Sequence, residues 1–254
     1  MKKDSSLRLL LPITGEGNSS SLIRNRDLMA MHLGALFTMD ANSRMLSVNE
    51  PGGGPPAPRF FLGRADDGNL WSLAADLPRE LTRDLHELCR TEPLDRTPSW
   101  SPRYEQAYIR LLETYAPVRN IWRGPAYRFP HSNDSAQTAI AITPRNAELL
   151  RGGFEKLLEE VTDWQPFYAV IEKEKAISVC RSVRISAPAH EAGVETLPEF
   201  RGKGLATAVV AVWARGVRSL GSEPLYSTSS DNLASQALAR KLGLIQYGVD
   251  FHIE

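Results

Sequence analysis

The chain has 254 residues, with 30 Lys and Arg balanced by 30 Asp and Glu, and 42% of its residues are apolar. That length carries one large domain or two modest ones, and the cancelled charge removes any global electrostatic case for nucleic acid or an anionic membrane as partner. No apolar run approaches the roughly 20 residues of a bilayer span, residues 1–5 open no apolar leader, and Cys89 and Cys180 lack metal-ligand spacing; the expectation is a cytoplasmic protein with two reduced thiols and no metal.

In chain order, residues 14–21 are polar and expected to be loose. Short strands are expected at 45–48, 59–63 and 69–73, around an irregular Gly/Pro run at 50–58. That run is no phosphate loop, since no Gly-Lys-Ser/Thr follows it. A helix from Pro78 to Arg90 places Leu81, Leu85 and Leu88 on one face. A second helix at 102–115 places Tyr104, Tyr108, Leu111 and Tyr115 on one stripe, which reads as core. Prolines and Gly124 punctuate residues 117–130, so a domain boundary is placed near 120, before a strand at 126–129. Residues 144–161 have a helical apolar face, Leu149, Leu150, Phe154, Leu157, Leu158 and Val161, which Gly152-Gly153 weakens or breaks in two. Three strands joined by short connections follow, at 167–171, from 176 to about 185, and at 191–197; antiparallel pairing is expected.

The chemistry concentrates after this. Glu191 to Leu197 leads through Pro198 into the turn Arg201-Gly202-Lys203-Gly204, and then into an amphipathic helix whose apolar face is Val209, Val210, Trp213, Val217 and Leu220. Such a turn leaves the first helical N–H groups unpaired and facing outward, backed by the positive end of the helix dipole. That is a ready site for a pyrophosphate. The pattern is neither a P-loop nor the Rossmann fingerprint.

With its surroundings, this segment resembles the GNAT superfamily of CoA-dependent N-acyltransferases. The superfamily's motif, Gln/Arg-x-x-Gly-x-Gly/Ala, is met by Arg201-Gly202-Lys203-Gly204-Leu205-Ala206, where Arg201, Gly204 and Ala206 occupy the specified positions. The preceding Val194-x-Thr196-x-Pro198 and the following Asn232-Leu233-Ala234-Ser235 with Lys241-Leu242-Gly243-Leu244 are similar too. Glu195 to Arg201 is especially similar to the branch containing glycine N-acyltransferases. The resemblance covers about residues 121–254. It implies an α+β GNAT fold there, with a mixed, largely antiparallel central sheet flanked by helices. Residues 1–120 are then an N-terminal α/β domain of unassigned role, either a divergent half-copy of the fold or a lid over the acceptor site. A strand at Leu225–Ser229 is expected beside the motif.

The resemblance also implies roles. Backbone groups of Val194, Glu195 and Thr196 would hydrogen-bond the pantetheine of acetyl-CoA, or another acyl-CoA, as an added strand would. The turn led by Arg201, with the amides of Gly202, Lys203, Gly204, Leu205, Ala206 and Thr207, would cradle the pyrophosphate. Asn232 and Ser235 would contact the pantetheine or pyrophosphate, although Asn232 reads equally well as a helix N-cap. In several superfamily members a glutamate eleven residues before the motif's Gln/Arg is the general base; that place here is His190. Neutral imidazole, with a reference pKa of about 6.5, suits the task. A one-residue shift or a bulge would substitute Glu191, on the opposite strand face, and His190 reads equally as a strand end with no chemistry. The superfamily's tyrosine acid corresponds to Ala239; Ser235, Tyr226, Tyr247 or water could stand in.

These features lead to an enzyme, an N-acetyltransferase passing acetyl from acetyl-CoA to a primary amine of a small molecule or amino acid by direct attack. The partners expected are that amine and, as an assembly to test, a homodimer; nucleic acid and membrane are not expected. Two alternatives stay open: a non-catalytic acyl-CoA-binding regulatory module, and a protein or peptide N-acetyltransferase.

Overall fold

The computed structural model describes residues 23–130 and 139–254. The polar 14–21 segment and residues 1–5 lie outside the described residues.

The first element of the described residues is helix α1 (Asn25–Leu36), whose Leu28, Met29, His32 and Leu33 recur at helical spacing and are buried. Strands β1 (Phe37–Met39) and β2 (Met45–Val48) then form a separate two-stranded ribbon. The hairpin β3 (Phe60–Ala65) and β4 (Gly68–Leu73) follows, and then α2 (Arg79–Thr91) and α3 (Glu105–Glu113). In α2, Leu81 and Leu85 are buried as the periodicity requires. The buried pair of α3 is Tyr108 and Leu112, whereas Tyr115 lies beyond the helix end and is exposed. No side chain of α3 itself caps its start; Glu92, just past α2, accepts from the amides of Arg103 (2.6 Å) and Tyr104 (3.2 Å) and from the Tyr108 hydroxyl (3.0 Å).

After α3 come β5 (Ile121–Arg128) and β6 (Ala139–Ala141). The helix expected over 144–161 is replaced by two short 3-10 turns, Ala147–Leu150 and Glu155–Leu157. Gly152, at φ +83°, breaks the segment, and the Glu155 carboxylate holds the Gly153 amide at 3.0 Å. The apolar residues are nonetheless buried, with Leu150, Phe154, Leu157 and Val161 all in the core. Then follow β7 (Phe167–Glu172), β8 (Lys175–Ile185), β9 (Ala189–Thr196), a 3-10 turn at Pro198–Phe200, α4 (Leu205–Ser219), β10 (Glu223–Ser227), α5 (Leu233–Lys241) and β11 (Ile245–Ile253). In α4, Val209, Val210, Trp213 and Val217 are buried, but Leu220, one residue past the helix, is exposed.

Among the described residues, nine strands form one sheet in the order β4-β3-β11-β5-β10-β9-β8-β7-β6. Neighbours pair antiparallel except β9 and β10, which run parallel. The sheet crosses the boundary expected near residue 120, with β3 paired to β11 and β4 at the edge. Arg59 reinforces this junction, donating to the carbonyls of Ala116 (2.7 Å) and Glu254 (2.7 Å).

Strand alternation divides the sheet into two faces. One face carries α4 over Tyr127, Cys180 and Tyr226, and the α2–α3 pair over Phe60, Leu62 and Phe251. The other carries α1 over Phe61, Ala126, Ala189 and Leu225. The backbone lets α1 come close: a Cβ on Gly63 would meet Met29 Cγ at 2.3 Å, and one on Gly248 would meet Met29 Cε at 2.6 Å. Each fully buried large apolar side chain contributes about 1.5–3 kcal/mol by burial, and Met29 of α1, Trp213 of α4 and Phe251 of β11 are among these.

Candidate active site

The parallel pair β9–β10 is short. Register partners run only from Ala189–Glu223 to Glu191–Leu225; beyond these the strands part and leave the remaining edge of β9 without a ladder partner on that side. A cleft of about 600 Å³ opens beside the parting, lined by residues that include Phe154, Lys156, Val194, Glu195, Thr196 and Tyr226. Arg201, Ala206, Asn232 and Ser235 line it too. Seven of the sequence-nominated cofactor residues are thus brought to one cavity.

The other five, Gly202, Lys203, Gly204, Leu205 and Thr207, form the adjacent turn and the first turn of α4. Gly202 (φ +77°) and Gly204 (φ +80°) both have left-handed backbones, which an L side chain resists. Gly204 is the N-cap of α4 and no side chain caps it. Among the described residues, the amides of Gly202 to Thr207 have no acceptor, and the first bonded amide is that of Ala208, to Gly204 O (3.2 Å). The Lys241 ammonium lies 3.5 Å from where a Cβ on Gly204 would sit. Free amides, the helix dipole and a lysine therefore converge on an open turn, which fits a pyrophosphate. Arg201 Nε donates to Thr196 O (3.2 Å), tying the turn back to β9, and Lys203 stacks over Phe200.

Asn232 is the N-cap of α5, its side chain accepting from the Ser235 amide at 3.0 Å, and it lines the cleft as well. Ser235 Oγ lies 2.6 Å from the Tyr226 hydroxyl. Burial pushes the Tyr226 pKa up to about 12 against the opposing pull of that hydrogen bond. Burial also works to raise the Glu195 carboxyl, but ion pairs with Lys156 Nζ (2.9 Å) and Arg181 Nη1 (3.2 Å) hold it below the usual carboxylate range. Ala239 is completely buried.

The two nominated catalytic residues point to opposite faces. His190 is buried on the α4 side, its Nδ1 2.9 Å from Ser182 Oγ, which accepts from Trp213 Nε1 (3.1 Å). Burial lowers the His190 pKa.

Glu191 is buried on the α1 side, in a group of residues that lie far apart in the chain. His32 Nδ1 donates to Glu191 Oε1 (2.6 Å) and His32 Nε2 to Asp250 Oδ2 (3.1 Å). Trp122 Nε1 donates to Asp250 Oδ1 (2.9 Å), and Ser227 Oγ to Glu191 Oε2 (3.1 Å). Each of the four carboxylate oxygens thus has one donor. An ionised carboxylate only accepts, so two carboxylates on the two ring nitrogens require both nitrogens to carry hydrogen: His32 is an imidazolium. Burial opposes this charge, but the adjacent Glu191 carboxylate and the hydrogen bonds to Asp250 and Glu191 outweigh it and push the His32 pKa up to about 10. Tyr247, fully buried nearby, has its pKa raised well above the ordinary value by burial and then by the charges of Glu191 and Asp250.

Sequence reasoning reached Glu191 but missed His32, Asp250, Trp122 and Ser227. A lone histidine in a helix and an aspartate in a strand carry no motif. Helical spacing in 25–36 was the one available signal for α1. Among the described residues, no group of three or more His, Cys, Asp or Glu is arranged to hold a metal, and no helix is long and apolar enough to cross a membrane.

The family model for GNAT acetyltransferases matches residues 167–248, a segment that spans β7 to the start of β11 and contains the parted strands, the glycine turn and α5. The fold is the GNAT fold, α+β with a mixed sheet and flanking helices, and the matched segment lies in the C-terminal half. No curated protein matches the sequence. Among solved structures, a GNAT-family acetyltransferase from Colwellia psychrerythraea is 14% identical, with 93% of this chain and 98% of that chain covered and a TM-score of 0.45. A GNAT-family protein from Novosphingobium aromaticivorans is 17% identical, with 54% and 65% covered and a TM-score of 0.41. AAC(6')-Iy, solved in complex with a bisubstrate analogue, CoA-S-monomethyl-acetylneamine, is 22% identical, with 44% and 93% covered and a TM-score of 0.37.

Proposed function

We propose that the protein is an acyl-CoA-dependent N-acyltransferase of the GNAT family that transfers acetyl from acetyl-CoA to a primary amine of a small molecule or amino acid. The observation that carries this reading is the cleft where β9 and β10 part, which runs to the uncapped, glycine-built start of α4. The free amides of Gly202 to Thr207, with Lys241, would hold the pyrophosphate, and the unpaired edge of β9 at Val194, Glu195 and Thr196 would hold the pantetheine. When bound, acetyl-CoA supplies the activated acyl group.

The chain's own residues would do the rest. An acceptor ammonium, at a reference alkylamine pKa of about 10, must give up a proton before its nitrogen can attack. Of the two nominated residues, we assign the base to Glu191 and a packing role to His190, because His190 is held under α4 by Ser182 and Trp213. Tyr226, with Ser235, would steady the departing sulfur. A phenol at about 12 stays protonated beside a thiolate whose reference pKa is about 8.5, so its contribution is a hydrogen bond without proton transfer.

The experiment is calorimetric titration of CoA, together with thiol release from acetyl-CoA across a panel of amino acids, polyamines, aminoglycosides and short peptides. The resemblance of Glu195–Arg201 to the glycine N-acyltransferase branch puts glycine first in that panel. CoA binding with thiol release on a small amine is the expected result. Release only on peptides would move the acceptor class. Binding without release on any amine would favour the regulatory module, a reading to which the buried Ala239 at the tyrosine place lends weight.

A further inference from the structure

Glu191 cannot meet an amine directly, because only 3% of its side chain is exposed and both oxygens are already engaged, one by His32 and one by Ser227. A general base must lie within hydrogen-bond reach of the proton it takes, or one relay away. Of the two residues bonded to Glu191, His32 is fully buried and Ser227 is only half-buried. Ser227 ends β10 two residues beyond the last β9–β10 register pair, where the strands part, and it lies on the α1 face with Glu191. Its hydroxyl is both donor and acceptor, which Trp122 Nε1 and the His32 imidazolium are not.

We infer that Ser227 is the catalytic residue that passes the acceptor's proton inward to Glu191, and that His32, supplied by the N-terminal α1, is the positioning residue that keeps Glu191 turned toward it. This rests on the acyl-transfer reading and deepens it. The ammonium proton moves to Ser227 Oγ as the Ser227 proton moves to Glu191 Oε2. The freed nitrogen pair forms the N–C bond to the acyl carbon, and the C–S bond breaks with its pair going to sulfur. The nitrogen's second proton goes to the thiolate, giving amide and free thiol, and the proton on Glu191 returns to water through Ser227.

The charge arrangement suits the task. Two carboxylates and one imidazolium leave the cluster with one net negative charge, which one incoming proton neutralises. The charged and titratable groups around His32 are Glu191 of β9 and Asp250, His252 and Tyr247 of β11. From β8, Arg184 acts on Glu191 and is itself paired with Glu50 at 2.8 Å. His32 is fully buried and held from both sides, so Glu191 Oε1 is fixed and Oε2 is left to Ser227.

The test uses the full chain, acetyl-CoA and the amine on which the wild type is most active. Ser227→Ala should lower kcat at least 30-fold at neutral pH with CoA affinity unchanged within twofold, and Ser227→Thr should restore most of the loss. Activity of Ser227→Ala within threefold of wild type would overturn the relay. His32→Gln should lower kcat and move the acid limb of kcat/KM to higher pH, because the charge favouring the ionised cluster is gone; a profile superposable on wild type would overturn the positioning role. Should His32→Gln not fold, nitrogen NMR of the wild type decides, since His32 must show two protonated ring nitrogens at pH 8 and a neutral ring would overturn the assignment. A wild type that binds CoA yet acylates no amine would sink the acyl-transfer reading and this inference with it, whereas an active wild type with indifferent variants sinks the inference alone.

Discussion

The two ends of the candidate site are built in opposite ways. The proposed phosphate end is backbone: a glycine turn, a run of unpaired amides and an open helix start, contributed by consecutive residues 201–207. The chemical end is side chains: Glu191, His32, Asp250, Trp122 and Ser227 come from five elements and are joined by hydrogen bonds of 2.6 to 3.1 Å. The first is open; in the second the charged groups Glu191, His32 and Asp250 are buried and paired, because an unpaired charge inside a protein is costly. The proposed binding end is thus local in the chain, whereas the proposed proton-handling end depends on how distant segments pack.

The sharpest way to break this division is Glu191→Gln. It should reduce kcat/KM by about 10²–10⁴, the usual worth of a general base, and leave CoA affinity within threefold; a parallel loss of CoA binding would show that the two ends are not separable. The next effect is on stability. The folded pKa of His32, about 10, lies above its reference value of 6.5, so the folded state binds the extra proton between these values. The stabilisation is complete below pH 6.5 and drains away as pH rises toward 10, a loss on the order of a few kcal/mol. Urea unfolding from pH 6 to 10 should show that decline in wild type and a flatter profile in His32→Gln.

Gly204→Val tests the other end. A β-branched residue resists φ +80°, the amides lose their alignment, and an anion at a helix start is worth up to ~2 kcal/mol; CoA affinity should fall about tenfold with the Glu191 cluster undisturbed. The smallest effect expected is that of Asn232→Ala. Losing the α5 N-cap should cost about 1 kcal/mol of stability, read as a lower melting temperature, with a few-fold weakening of CoA binding.

Much of the C-terminal sheet was readable from alternation and turn residues: β7, β8, β9 and α4 lie where the pattern puts them, within a residue or two. The 144–161 segment was misread because its apolar spacing is helical while Gly152-Gly153 denies it a continuous helix; the side chains are buried all the same. Strand β11 was not anticipated, although Ile245, Tyr247, Val249, Phe251 and Ile253 alternate with Gln246, Gly248, Asp250 and His252; it lies between β3 and β5 and so joins the two segments.

The sequence by itself determined the GNAT-like turn, its helix and the strand leading into it, because a phosphate cradle needs only neighbouring residues with the right backbone freedom. It left the choice between His190 and Glu191 open, since adjacent strand residues differ only in the face they take. Tertiary structure decided what each face meets: Ser182 and Trp213 on one side, and on the other a buried imidazolium from residue 32, 159 positions away in the chain. No local pattern encodes that meeting, because it arises only when α1 packs across a sheet shared by both segments.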